Sequence, residues 1–351
     1  MQKLFLTLVI ISLPLAVVAQ LLHWGTLISF TICCVGIIGL AFFMGHATES
    51  LAIHSGPRIG GLLNATFGNA VELIISIFAI KAGLFVVVLA SLTGAVIGNL
   101  LLVGGLSLLV GGLRFKRQRI NKFDARHNAG LLIFSVFGAF LLPAIFATEL
   151  ESSQELTLSI GISIILILVY LGGLYFKLVS HRGVYNDPNT ESHDEHEEAD
   201  WTKKKALTIL ALATLGVAYL SERLVHTIEG VGHSLHWSEL FIGIIVVAIV
   251  GNAAEHASAI VMAYKNKMDI AMEIAVGSTL QIAMFVAPVL VLLSLFFGKG
   301  MALVFTGPEL AAMITSVLLI NKIMTDGDTN WLEGVMLLGL YVIMGIGFYL
   351  L

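Results

Sequence analysis

Two glutamates in a duplicated motif are the residues of this chain whose type and position could do chemistry. The sequence GNAVE at 68–72 recurs as GNAAE at 251–255, an offset of 183 residues. Glu72 and Glu255 therefore close two copies of one motif, each inside a long apolar run. An ionised side chain at the centre of a membrane-spanning helix costs on the order of 2.5–3.5 kcal/mol, and such residues usually line a pathway. A pair of protonated carboxyls bonded to backbone groups is the structural alternative, but it does not explain the duplication.

Neutral oxygen donors accompany both glutamates. Each motif carries an asparagine three residues before its glutamate, and the next apolar run carries a further amide. The glycine that opens each motif permits close helix approach or local unwinding, which frees backbone carbonyls. An all-oxygen set with two negative charges suits Ca²⁺, which takes about 6–8 oxygen ligands, whereas softer metals require Cys or His. The candidate metal ligands are Glu72, Glu255, Asn69, Asn252, Asn99, Ser278 and Gln281.

The rest of the chain must supply the helices that hold these residues. Of its 351 residues, 58% are hydrophobic and 12% are charged, with a mean hydropathy of +0.96. A soluble domain has about 25% charged residues, so this composition excludes a soluble globular protein. The 19 Lys and Arg residues against 23 Asp and Glu residues also argue against a nucleic-acid binder. Apolar runs long enough to cross a bilayer predict an all-α polytopic membrane protein with about eleven transmembrane helices.

The basic residues predict how these helices are oriented. Short cytoplasmic loops carry an excess of Lys and Arg. If the N-terminus is inside, all the basic residues fall on the cytoplasmic side except Lys81, Arg223 and Lys299. We therefore expect an integral multi-pass protein of a prokaryotic cell membrane, with the N-terminus in the cytoplasm and the C-terminus outside.

An acidic cytoplasmic connector over 181–204 divides the chain. Its charge run predicts a solvated tether, because it lacks the ligand spacing of an EF-hand. An N-terminal transmembrane helix over 1–24 is followed by one five-helix repeat over 25–180, and a second repeat covers 205–351. The two motif helices then run in opposite directions, so the halves are inverted repeats. That architecture is typical of secondary transporters, whose binding site lies at the midplane between the repeats.

The motifs and their spacing resemble the paired signature sequences of the calcium/proton exchangers (CAX-type) of the calcium:cation antiporter superfamily. Three stretches carry the resemblance: GNAVEL at 68–73, GNAAEH at 251–256 and GSTLQI at 277–282. The resemblance implies export of cytosolic Ca²⁺ in exchange for H⁺ by alternating access, with Glu72 and Glu255 shared by both ions. It implies no cofactor, since Ca²⁺ and H⁺ are transported substrates. The first repeat departs from the pattern at 95–98, where AVIG lacks the expected serines.

Three other titratable residues are candidates for a proton pathway or gate. His256 follows Glu255, but adjacent residues do not share a helix face. It is therefore either a relay or gate residue or a buried, hydrogen-bonded histidine. Glu49 and Glu222 lie near helix ends in a weaker echo of the repeat, where a plain interfacial carboxylate is the simpler interpretation.

A further carboxylate has a local explanation. The sequence TGPE at 306–309 has the spacing of a capping box with proline at the helix start. We therefore predict that Glu309 begins a helix and does not bind an ion.

Other functions remain open at this point. A Na⁺- or K⁺-coupled exchanger of the same superfamily would differ in its coupling ion, and a channel would lack alternating access. An intramembrane hydrolase would need a motif such as HExxH or GxSxG, and HDEH at 193–196 has the wrong spacing. We therefore expect no enzyme activity. The expected partners are the lipid bilayer, Ca²⁺ and H⁺, with no nucleic acid, and the sequence leaves a homo-oligomer open.

Overall fold

The computed structural model of the protein describes residues 2–181 and 199–351, and these residues are almost entirely helical. Ten segments among them are long and apolar enough to cross a membrane. The predicted all-α polytopic fold is therefore confirmed. The helices are α1 (Gln2–Leu21), α2 (Thr26–Phe67), α3 (Ala70–Ala82), α4 (Phe85–Arg114), α5 (Ala125–Ala147), α6 (Ser152–Ser180), α7 (Lys203–Leu235), α8 (Glu239–Tyr264), α9 (Met268–Phe296), α10 (Gly307–Asp326) and α11 (Trp331–Leu350).

The span that carries the first motif is broken. Helix α2 is interrupted at Gly56, whose left-handed φ of 78° is accessible to glycine without steric cost. The helical piece that follows ends at Phe67, and Asn69 leaves helical geometry with φ −100° and ψ 26°. Helix α3 then begins at Ala70, so the apolar run over 59–80 consists of two helical pieces. Broken helices in a membrane are tolerated where they are buried in protein or line a cavity.

Three of the helices that carry candidate ligands contain a π-helical turn. In α4 the turn is Gly98–Val103, in α8 it is Ile242–Val247, and in α9 it is Ile282–Val286. The turn in α4 contains Asn99, and the turn in α9 begins directly after Gln281. The turn in α8 ends four residues before Gly251, the first residue of the second motif. A π turn inserts one extra residue and so changes which face the following residues present, and such turns occur frequently at functional sites.

Corresponding helices of the two halves pack antiparallel. Along α2 and α7, the start of α2 at Thr26 lies against Gly230, whereas Leu40 lies against Gly216. Helices α4 and α8 cross so closely that a side chain at Gly94 would overlap the Ile244 carbonyl. Only glycine fits that crossing, and the contact fixes α4, which follows the first motif, against α8, which carries the second.

The basic loops meet at one end of the bundle. A short strand β1 (Gln118–Arg119) pairs antiparallel with β2 (Asp328–Thr329). Gln118 also donates to the Ala263 carbonyl at 3.0 Å, and Lys177 pairs with Glu273. Four segments predicted to lie on the cytoplasmic side are thus in mutual contact. Which side of the membrane they occupy stays a prediction.

The acidic connector is described only at its C-terminal end, since residues 182–198 and their carboxylates lie outside the described part of the chain. There, Asp200 lies 3.0 Å from His46 Nε2 on α2. The next residue, Trp201, is buried, and its carbonyl oxygen lies 2.7 Å from His54 Nε2. This end of the connector therefore contacts α2. The boundaries of the two repeats stay predictions.

Candidate ion-binding site

The two signature glutamates meet because each packs against the glycine of the other motif. Glu72 lies in the first turn of α3, and a Cβ built on Gly251 would be 3.0 Å from Glu72 Cγ. Reciprocally, a Cβ on Gly68 would be 3.3 Å from Glu255 Oε1. Because Gly251 precedes Glu255 by one helical turn, both carboxyl groups belong to one site at the crossing of α3 and α8.

Ser278 on α9 connects this site to two asparagines. Its hydroxyl donates to Glu255 Oε2, and it also lies 3.1 Å from Asn69 Oδ1. A hydroxyl carries a single proton, so it can serve only one of these acceptors at a time. Asn99 Nδ2 on α4 donates to the same hydroxyl oxygen at 3.1 Å. Ser278 is therefore the junction between the two motifs.

Gln281 completes the amide contacts. Its Oε1 accepts from Asn69 Nδ2 at 2.5 Å, and the same oxygen would lie 3.3 Å from a Cβ on Gly68. This contact ties the break between α2 and α3 to α9. Five of the seven predicted ligands are thus joined by hydrogen bonds, and Glu72 adjoins them through its packing on Gly251.

Asn252, the seventh predicted ligand, bonds to its own helix. Its Nδ2 donates to the Ala248 carbonyl at 2.9 Å, and no described residue donates to its buried Oδ1. Both carboxylate oxygens of Glu72 are also buried without a hydrogen-bond partner among the described residues. A buried polar group without a partner costs about 1–3 kcal/mol, and a charged group costs more. A proton or a hard cation satisfies such oxygens, and the donor set is all oxygen.

Only one of the three predicted proton-pathway residues adjoins the site. His256 is buried, and its Nε2 lies 3.1 Å from Asn99 Oδ1, so it reaches Glu255 through Asn99 and Ser278. Glu49 is 61% exposed and faces His46 at 3.5 Å, away from this network. Glu222 is exposed on α7. In the described part of the chain, neither glutamate contacts the site.

Comparison with known proteins identifies the family. The family model described as sodium/calcium exchanger protein matches residues 25–179 and 205–350. The chain belongs to this family. The predicted resemblance to the calcium:cation antiporter superfamily is therefore confirmed, and the two matched stretches flank the connector.

Individual members of the family cover the whole chain. It is 62% identical over 351 residues, all of both chains, to the Ca²⁺/H⁺ antiporter ChaA of Bacillus subtilis. It is 43% identical to the Ca²⁺/H⁺ antiporter of Synechocystis, with 99% of this chain and 97% of that protein covered. Among solved structures, native YfkE matches with 58% identity and a TM-score of 0.88, covering 99% of this chain and 100% of its own. The H⁺/Ca²⁺ exchanger CAX matches at 13% identity with a TM-score of 0.74, covering 99% of this chain and 92% of its own, which shows the shared fold.

Sequence reasoning missed one contact that positions this family member's α4. The predicted capping box is confirmed, since Glu309 Oε2 accepts from the Thr306 backbone and hydroxyl at 2.9 and 2.8 Å. Its other oxygen, however, accepts from Thr93 on α4 at 3.1 Å. The sequence shows that Thr93 is a polar residue in an apolar run. It does not show that Thr93 contacts Glu309, which lies 216 residues further along the chain. The bond holds α4, and with it Asn99, against α10.

Proposed function

We propose that this chain is a secondary antiporter that exports cytosolic Ca²⁺ in exchange for H⁺ by alternating access. The observation that carries the proposal is the reciprocal packing of Glu72 on Gly251 and of Glu255 on Gly68. One site with two carboxylates can hold either one divalent cation or protons. The two relatives named as Ca²⁺/H⁺ antiporters support the same exchange.

Sharing one site couples the two ions. With Ca²⁺ bound, Glu72 and Glu255 are neutralised, so the site can close and reopen on the other side. Protons then compete for the same carboxylates, release Ca²⁺, and give a second neutral state that can return. The empty, doubly ionised site carries two uncompensated buried charges, which are costly to occlude. The empty site is therefore prevented from closing and reopening on the other side of the membrane.

Ser278 adapts the site to its occupant. When Ca²⁺ takes both oxygens of Glu255, the Ser278 hydroxyl turns its proton to Asn69 Oδ1, which lies 3.1 Å away. When Ca²⁺ leaves, the hydroxyl returns to Glu255. The hydroxyl oxygen itself, the amide oxygens of Asn69, Asn252, Asn99 and Gln281, and freed carbonyls near the break supply neutral ligands. His256 adjoins this set through Asn99 and serves as a relay or gate.

The basic residues of the loops predict how the exchanger is oriented in the membrane. Its basic loops would face the cytoplasm of a bacterial cell, with the N-terminus inside and the C-terminus outside. The site binds and releases ions without covalent chemistry, so the chain acts as a transporter and not as an enzyme. Whether chains associate into a homo-oligomer stays a prediction.

Radioactive Ca²⁺ uptake into everted vesicles tests this function. We expect an acid interior to drive Ca²⁺ uptake, and we expect the rate to be unchanged when Na⁺ or K⁺ is replaced by an impermeant cation. Uptake that follows a Na⁺ or K⁺ gradient and ignores the pH gradient would instead establish the alternative exchanger.

A further inference from the structure

A pocket of about 210 Å³ lies between α1, α2 and α7, away from the carboxylate site. It opens at the end of the bundle where α1 ends and α2 begins. Its depth follows from α2: Cys33 lines the pocket seven residues after the helix start, roughly 10 Å along the helix axis. Its polar lining consists of Gln20, His23, Ser29, Arg223, His226 and Thr227.

Arg223 is the charged group in this pocket, and none of the described residues accepts a hydrogen bond from it. Its Nε is buried without a partner, and no hydrogen bond from its guanidinium reaches any described residue. Its one aromatic contact places Cζ 5.7 Å from the Tyr219 ring. Arginine always carries its charge and five donors. Arg223 lies within the candidate membrane-spanning helix α7, where a cation without a counter-charge is costly. The guanidinium therefore requires an acceptor from outside the described protein atoms.

The rest of the lining favours an anion. Among the residues lining the pocket in the described chain, none is acidic, and Glu222 and Glu229 on the same stretch of α7 are exposed. His226 and His23 add ring nitrogens to the lining of the same pocket. His23 has a left-handed φ of 50°, which is uncommon for a residue other than glycine.

The rim of the pocket suits a lipid. Trp24, a residue type enriched at the membrane–water interface, lines the opening. Leu21 and Leu22 are 72% and 63% exposed beside it, which gives apolar surface for acyl chains. Basic pockets between membrane helices bind lipid head groups, and the planar guanidinium fork matches two phosphate oxygens.

We propose that this pocket binds the phosphate of an anionic phospholipid through Arg223. The bound lipid bridges α1 and α7. These two helices are also joined there by a hydrogen bond of 3.2 Å from the Tyr219 hydroxyl to Gln20 Oε1. In the proposed orientation, the lipid belongs to the outer leaflet.

Native mass spectrometry of the full chain in detergent tests this site. Phosphatidylglycerol is titrated into the protein, and phosphatidylcholine is titrated in parallel as the zwitterionic comparison. We expect one phosphatidylglycerol per chain to be retained about tenfold more tightly than phosphatidylcholine, equivalent to about 1.4 kcal/mol. Arg223→Gln should remove this preference. Lys81→Gln removes a cation from the end of α3, outside the pocket, and should leave the preference intact.

A second variant keeps the test valid if Arg223→Gln folds poorly. Ser29→Glu places a carboxylate in the pocket, where it can pair with Arg223, and an acidic residue is favourable in the first turns of a helix. This variant should melt at the normal temperature and retain no phosphatidylglycerol. Unchanged lipid retention in both pocket variants would overturn the proposal. Displacement of the lipid by millimolar inorganic phosphate would also overturn it and would assign the pocket to a free anion.

Discussion

The carboxyl group of Glu72 rests on the backbone of Gly251, a residue from the other half of the chain. A Cβ at Gly251 would lie 3.0 Å from Glu72 Cγ and 3.3 Å from its Oε1. Since Glu255 lies one turn further along the same helix, neither half of the chain builds the site alone. The glycine that opens one motif makes room for the glutamate that closes the other.

Removing either carboxylate should abolish exchange. Glu72→Gln and Glu255→Gln keep the side-chain size and one oxygen but remove the charge and the exchangeable proton. Glutamine cannot exchange a proton for Ca²⁺, and a Ca²⁺ ion bound by the one remaining carboxylate would keep an uncompensated positive charge in the buried site. Aspartate at either position should restore activity only partly, because its arm is one methylene shorter. The measurement is pH-gradient-driven Ca²⁺ flux in proteoliposomes.

The matched control for these variants is Glu273→Gln. Glu273 is 58% exposed and pairs with Lys177 at the basic end of the bundle, where a surface ion pair contributes little. Its loss should leave flux within about twofold of the wild type, since surface pairs contribute about 0–1 kcal/mol. Near-normal proton-coupled flux in either signature variant would show that the glutamate concerned is not the shared ligand.

A methyl group at the first contact should weaken ion binding. Gly251→Ala forces the Glu72 side chain to move by a few tenths of an ångström, because its Cγ would be 3.0 Å from the new Cβ. We expect the Ca²⁺ concentration for half-maximal flux to rise several-fold while the protein still folds. Gly277→Ala is the control, since nothing lies within 4 Å of a Cβ there and alanine favours the helix. Equal effects of the two substitutions would contradict the close packing described here.

The candidate ligand residues could be selected from sequence because polar side chains stand out in an apolar run. Duplication then paired Glu72 with Glu255 without any structure. The glycine at 68 allowed local unwinding, but the break at Asn69 itself could not be predicted, since hydropathy is the same whether or not a helix is continuous. Neither could the role of Ser278, because Ala95 stands at the matching position of the first half and the partner that reaches Ser278 is Asn99. Contacts between distant segments leave no periodic pattern.

Labelling of the loop after α4 tests the predicted orientation. Gln118, in this loop, is only 2% exposed, so a cysteine there would be a poor reporter. Lys116 is exposed and suits the purpose. In a background lacking the buried Cys33 and Cys34, Lys116→Cys should react with an impermeant maleimide only in everted vesicles. Reaction in intact cells would reverse the orientation.

The pair of Arg117 and Asp328 should contribute stability that does not change with pH in the working range. The hydrogen bond from Arg117 holds the pKa of Asp328 below its ordinary value. A carboxylate with a lowered pKa stabilises the fold above its unfolded pKa of about 3.9, and this stability is lost as pH falls through the lower folded value. Asp328→Asn should therefore lower the melting temperature slightly, and equally at about pH 6 and pH 9. A loss that differs between these pH values would implicate another titrating group.

Ser278→Ala tests whether the serine junction acts on the ion and not only on the fold. The substitution removes the donor to Glu255 and the acceptor of Asn99. In the Ca²⁺-bound site the hydroxyl oxygen is one of the proposed neutral ligands, so its loss should lower the apparent Ca²⁺ affinity about tenfold or more, equivalent to about 1.4 kcal/mol or more. Ser316→Ala is the matched control, because Ser316 is also buried but donates to the Ala312 carbonyl of its own helix. Calcium-binding titrations and melting temperatures are measured on both variants. A purely structural serine would lower the melting temperature of Ser278→Ala and leave its Ca²⁺ affinity at the wild-type value, which would contradict the junction proposed here.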